Sequence, residues 1–268
     1  MRVGDVLAGG PRQFRGSGFM IEFEPPEHGG TYTDPDMDKP RQFDYRCRIW
    51  SIDPSDESRK CVLMTVECKN LNPSLPLVIS GRPRTTEEAY ADFIESHWTK
   101  TPGLRTSRTR KKSFRRFYKA GEFVGKSYLR PKADDKTGGW KTDREQSKDV
   151  YERWSQAVQS SFDLATSGCY LARDHKCEFV LSLVLPVVVV PDGTLWIASY
   201  NEQGLIEGDP CCVDECKYFV GRKFEIGFPN ELHDIRISHI HFVTMTGLRQ
   251  LLSGLAINGG AFWIDAFG

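Results

Sequence analysis

The chain reads as α/β (α+β): a central mixed β-sheet flanked by helices, with a β-rich C-terminal extension. Three observations carry this reading. Phe179 to Val190 is a dozen-residue apolar run with four consecutive valines before Pro191, as a buried strand requires. Arg41 to Trp50 and Val62 to Val66 carry the two-residue alternation of strands. Residues 143–165 instead repeat apolar side chains every three or four positions, at Val150, Trp154, Ala157, Val158 and Phe162.

Along the chain, residues 1–18 are rich in Gly, Arg and Pro and show no helical period. Phe19 to Phe23 alternates as a short strand, and Pro25 to Pro40 reads as a polar loop. In the run that follows, Phe43, Tyr45, Cys47 and Ile49 share one side and Asp44 falls on the other. Asp53 to Lys60 is a polar turn returning the chain into Val62–Val66. Leu75 to Ser80 predicts another strand. Thr85 followed by Thr86, Glu87 and Glu88 predicts a capped helix reaching Trp98 and stopped by Pro102-Gly103. After the long helix, Pro191-Asp192-Gly193 predicts a hairpin turn into Leu195–Tyr200. Short strands at Tyr218–Val220 and Arg236–Val243 precede a terminal helix over Thr246–Leu255. The expected division is a core over 1–200, with a basic insertion at about 100–140, and an extension over 201–268 packed on it.

The 268 residues balance to zero net charge, but unevenly: −4 over 1–99, +11 over 100–132 and −7 over 133–268. Seven cations crowd into residues 105–116, among them Arg108, Arg110, Lys111, Lys112, Arg115 and Arg116. Such a cluster suits phosphate contacts without base discrimination. The competing account is a solvated loop. The longest apolar run is too short, and too interrupted by Pro186, to span a bilayer. With no secretory leader after Met1, the eight cysteines read as reduced thiols of a cytoplasmic protein.

The most specific chemistry lies at the end of the Val62 strand. Glu67 and Lys69 are two residues apart and share a face, while Val62, Met64, Val66 and Cys68 take the other. A hairpin with the preceding strand brings Asp44 onto that polar face, so that two carboxylates and an ammonium converge. Oxygen ligands of this kind hold Mg²⁺. An acid two residues before a lysine also occurs at Asp134-Asp135-Lys136, Asp174-His175-Lys176 and Glu215-Cys216-Lys217, but without an Asp-bearing partner strand.

Phe43-Asp44-Tyr45, a turn, then Val66-Glu67-Cys68-Lys69-Asn70 resembles the metal site of the PD-(D/E)xK nuclease superfamily, with its restriction-endonuclease-like fold. The resemblance implies Asp44 and Glu67 as metal ligands, with the Cys68 carbonyl as a third and Lys69 orienting or polarising the attacking water. It implies Mg²⁺ (or Mn²⁺) as cofactor and nucleic acid, DNA foremost, as substrate. A homodimer or defence-system proteins are candidate partners, and no membrane is expected. Gln146, Tyr151 and Gln156 on the long helix resemble DNA-positioning residues of some members. The chain departs from the family where a helix with another acid usually precedes the first strand. A catalytically silent module of the same fold, binding nucleic acid or protein, is the alternative.

Two further motifs carry less. Gly121 to Ser127 ends in Gly-Lys-Ser but lacks the first glycine of a phosphate loop and follows no buried strand. Cys211, Cys212 and Cys216 with His233, His239 and His241 match no standard zinc spacing, and packed or surface side chains are the default.

Overall fold

The computed structural model describes residues 2–9, 13–15, 19–53, 58–71, 76–99, 107–129, 131–133, 140–142, 144–201, 203–228, 231–257 and 263. Its centre is the strand Phe179–Val190, whose residues are almost all buried on both faces. Ser58–Cys68 pairs with it in parallel along one edge, so that Glu67 stands opposite Val188. The other edge is shared. Its first half pairs antiparallel with Tyr90–Thr99, and its last four residues pair in parallel with Glu231–Thr244. From there the sheet continues through Glu215–Phe228, Phe123–Leu129, Leu77–Pro83, Leu195–Tyr200 and Ile206–Cys212. On the far side it runs from Ser58–Cys68 through Tyr45–Ile52 and Met20–Phe23 to Gln13–Arg15.

The sheet separates two cores. On one face the long helix Arg144–Gly168 packs Trp154, Ala157, Val158 and Ala165 against Leu63, Val184, Val188 and Phe242. On the other, helices Val3–Ala8 and Met245–Ile257 set Leu7, Leu248 and Leu252 against Ile49, Met64, Val66 and Val187. The helices cover the middle of the sheet, which extends well past them: among the described residues strand far outweighs helix. The architecture is a large mixed sheet with few helices, not one flanked by helices across its width.

The structure corrects several sequence expectations. Residues 85–98 are not a helix. Thr85 and Glu88 exchange the two hydrogen bonds of a capping box, but the turn is a single 3₁₀ turn, Glu87–Ala89. Tyr90–Thr99 then becomes a strand, because half an edge of the central strand is open to it and it buries Phe93 on one face and Ile94 on the other. A helix of this length would leave that edge unpaired.

The turn at Pro191 does not make a hairpin, since Leu195–Tyr200 pairs in parallel with Leu77–Pro83 instead. The polar loop of residues 25–40 contains strands, among them the hairpin Thr31–Asp34 with Lys39–Gln42. Val3–Ala8 is helical although too short to show a period. Residues 201–268 enter the same sheet as residues 1–200: Glu231–Thr244 lies directly beside the central strand.

Candidate active site

The antiparallel pairing of Tyr45 with Val66 carries Asp44, in the bend before its strand, to the level of Glu67. Cys68 donates its backbone N–H to Asp44 Oδ2 at 2.7 Å. The N–H and C=O of an extended residue point to the same edge, so the Cys68 carbonyl is turned toward Asp44 as well. The Cys68 thiol is held protonated, pushed up to about 12 by burial and then by Asp44 and Glu67. It offers backbone and not sulfur.

Glu67 is 4% exposed. Its Oε2 accepts from Lys69 Nζ at 3.0 Å, and its buried Oε1 has no hydrogen-bond partner among the described residues. Burial pushes the Glu67 carboxyl up to about 7; Lys69 pulls it back and Asp44 adds to the rise. Lys69 Nζ also donates to Gln156 Oε1 at 3.3 Å.

The helix is fixed in that register by polar knobs. Thr65 Oγ1 donates to the Ala157 carbonyl and lies 2.6 Å from Ser161 Oγ. Arg46, stacked on Phe43, bonds Ser160 and Asp163. Tyr32, from the 31–42 hairpin, points its hydroxyl at the Gln156 carbonyl at 3.4 Å. Burial, and after it the charge of Glu67, holds that hydroxyl well above the ordinary tyrosine range.

The donors present are two carboxylates and a carbonyl, hard oxygens suited to Mg²⁺. Among the described residues no group of three or more His, Cys, Asp or Glu stands in metal-binding geometry. An ion here would complete its shell with backbone oxygen and water, as Mg²⁺ commonly does.

The basic segment lies elsewhere. Ser107–Arg116 is a strand paired with Tyr90–Thr99. Lys112 is level with Ile94, which is level with Ser182 of the central strand, whereas Glu67 is level with Val188. That separation is roughly 20 Å along the strand. Lys112 is engaged by Asp234 at 2.9 Å and Asp92 at 3.5 Å, and Arg115 by Glu95 at 3.5 Å. Arg116 is exposed. The side chains of Arg108, Arg110 and Lys111, like those of Gln146, Val150, Tyr151 and His233, lie outside the described residues.

A second polar network was not anticipated. Glu215 Oε1 and His241 Nδ1 are 3.0 Å apart, and His241 Nε2 lies 3.2 Å from Tyr118 Oη. Arg84, 2% exposed, donates to His239 Nε2 at 3.3 Å and to the Lys119 carbonyl at 2.8 Å. His239 and His241, noted in the sequence beside the cysteines, are two apart in the strand Glu231–Thr244 and so share a face. Tyr118, Arg84 and both histidines are buried, as Glu67 is. They form a polar layer within the core. Cys216 is buried, while Cys211 and Cys212 lie exposed on the last strand of the sheet.

No family model, curated protein or solved structure matches this chain.

Proposed function

We propose that the protein is a metal-dependent nuclease of restriction-endonuclease-like type, hydrolysing phosphodiester bonds with DNA as the favoured substrate. The observation that carries this reading is the pairing of Asp44 with Glu67 at the end of one sheet face, with an orphaned buried carboxylate oxygen on Glu67 and the Lys69 ammonium 3.0 Å from the other. Asp44, Glu67 and the Cys68 carbonyl would hold Mg²⁺ or Mn²⁺. Bound there, the ion supplies Lewis-acid polarisation of a phosphodiester and activation of water. Lys69, braced between Glu67 and Gln156, places a fixed positive charge where negative charge develops. Asp44 is oriented by the Cys68 amide.

Calorimetry with Mg²⁺ and Mn²⁺, together with cleavage of duplex and single-stranded DNA and of RNA, tests the proposal. Asp44→Asn and Glu67→Gln should each abolish cleavage and weaken ion binding. Lys69→Ala should abolish cleavage while keeping much of the ion affinity. Wild-type protein that neither binds the ions nor cuts any of these substrates would remove it.

The second reading, a silent module that keeps the fold, is favoured by the burial of Glu67. It predicts nucleic-acid or protein binding unaffected by Glu67→Gln.

A further inference from the structure

The hairpin Thr31–Asp34 with Lys39–Gln42 forms a two-stranded sheet of its own. It leaves the main sheet through a narrow stem, where Phe43 donates to the Gly30 carbonyl at 3.0 Å and Gly29 to the Asp44 carbonyl at 3.1 Å. Gly29 has φ +68°, a backbone that a side chain would strain. One arm of the stem is therefore Asp44 itself.

The tip of the hairpin is preformed. Asp34, wholly buried, accepts from the amides of Asp36 and Met37 and from Arg41 Nε. The described polar ties from that tip to the rest of the protein converge on Asp36. Its Oδ2 accepts from Gln159 Nε2 at 2.9 Å on the long helix and from Arg222 on the strand Glu215–Phe228. The hairpin thus reaches across the long helix, from the Asp44 side of the sheet to a strand two places beyond the central one. Beneath it, Tyr32 lies on Gln156, Gln156 holds Lys69, and Lys69 holds Glu67. A phosphodiester cannot approach a Glu67 that is 4% exposed without something moving. The best candidate to move is a rigid arm with a thin stem and a latch at its end.

We infer that the hairpin is a clasp closing the Asp44–Glu67–Lys69 site and that Asp36, held by Arg222 and Gln159, is its latch. The inference rests on the nuclease proposal only for what enters the opened site. Asp36 and Arg222 side chains are 41% and 31% exposed, so removing either leaves no buried charge behind.

Two metal-free measurements on the full chain test it. One is amide hydrogen exchange; the other is the rate at which a carbodiimide with glycine ethyl ester labels the Glu67 carboxyl. In Asp36→Ala and in Arg222→Met, amides of residues 31–42 should exchange about tenfold faster, the effect of losing one charge-assisted hydrogen bond at a half-exposed site. Strands Ser58–Cys68 and Phe179–Val190 should not change. Glu67 should label faster by a similar factor in both variants. Unchanged exchange in the hairpin, equal acceleration throughout the protein, or unchanged labelling of Glu67 would each overturn the clasp. Faster labelling in variants that bind no Mg²⁺ and cut nothing would keep the clasp and remove the nuclease reading.

Discussion

At the scale of single residues, the two faces of the sheet carry opposite electrostatic burdens. On the long-helix face, burial holds the Glu67 carboxyl near 7. Its contribution to stability is present at low pH and lost as pH rises through that value. On the other face burial pushes His239 down to about 2, with Arg84 and His241 adding to the fall. Burial also lowers His241, against the pull of Glu215. Glu215 itself, with burial opposing, is drawn down to about 2 by His241 and Lys217. An unfolded chain protonates histidine near 6.5. The unfolded state therefore takes up more protons as pH falls below that value, and the buried histidines make folding less favourable there.

Because Glu67 slopes the other way, the histidine effect is read as a difference between proteins. Urea unfolding of wild type and His239→Gln at pH 7 and pH 5 should show wild type losing about 2 kcal/mol more than the variant on acidification. Equal losses would mean that His239 is not buried neutral. Glu67→Gln, which removes a buried charge and keeps the shape, should be as stable as wild type or more so at pH 8 without divalent ions.

At the scale of elements, the Tyr90–Thr99 strand is the informative one. Phe93 is wholly buried beneath Phe117 and the apolar face that carries Leu181 and Leu183. Phe93→Ala should cost roughly 3–5 kcal/mol by denaturant unfolding. A helix exposing that side chain would lose far less. The adjoining basic strand divides into parts. Asp92, 6% exposed, receives both the Arg236 amide at 2.7 Å and the Lys112 ammonium at 3.5 Å. Lys112→Ala should therefore lower stability by about 1–3 kcal/mol. Joint replacement of Arg110 and Lys111 by Ala should weaken binding to duplexes of unrelated sequence alike and flatten the salt slope. Unaltered affinity and slope would make the strand a solvated edge.

At the scale of the whole molecule, the two ends of the chain are joined by the central strand. Val187 to Val190 has Val66 to Cys68 on one side and His241 to Thr244 on the other. A fragment ending at residue 200 loses that second neighbour and the Met245–Ile257 helix packed near it. It should fail to give a cooperative unfolding transition by circular dichroism; a sharp transition would show that 1–200 is a unit by itself.

What the sequence determined was local. The bounds of Phe179–Val190 and Leu195–Tyr200, the long helix to within a few residues, and the shared face of Glu67 and Lys69 follow from periodicity and from the limited geometry of the backbone. Which strand neighbours which was decided by tertiary structure. A threonine cap and two acids are a real helix signal, and only the open edge of the central strand overruled it at Tyr90–Thr99. The proximity of Tyr32 and Gln156 to the carboxylates, and the tie of Asp36 to Arg222 across 186 residues of chain, left no trace in spacing. Pairings of that range depend on how the whole sheet closes, and a local pattern of apolar and polar residues does not encode them.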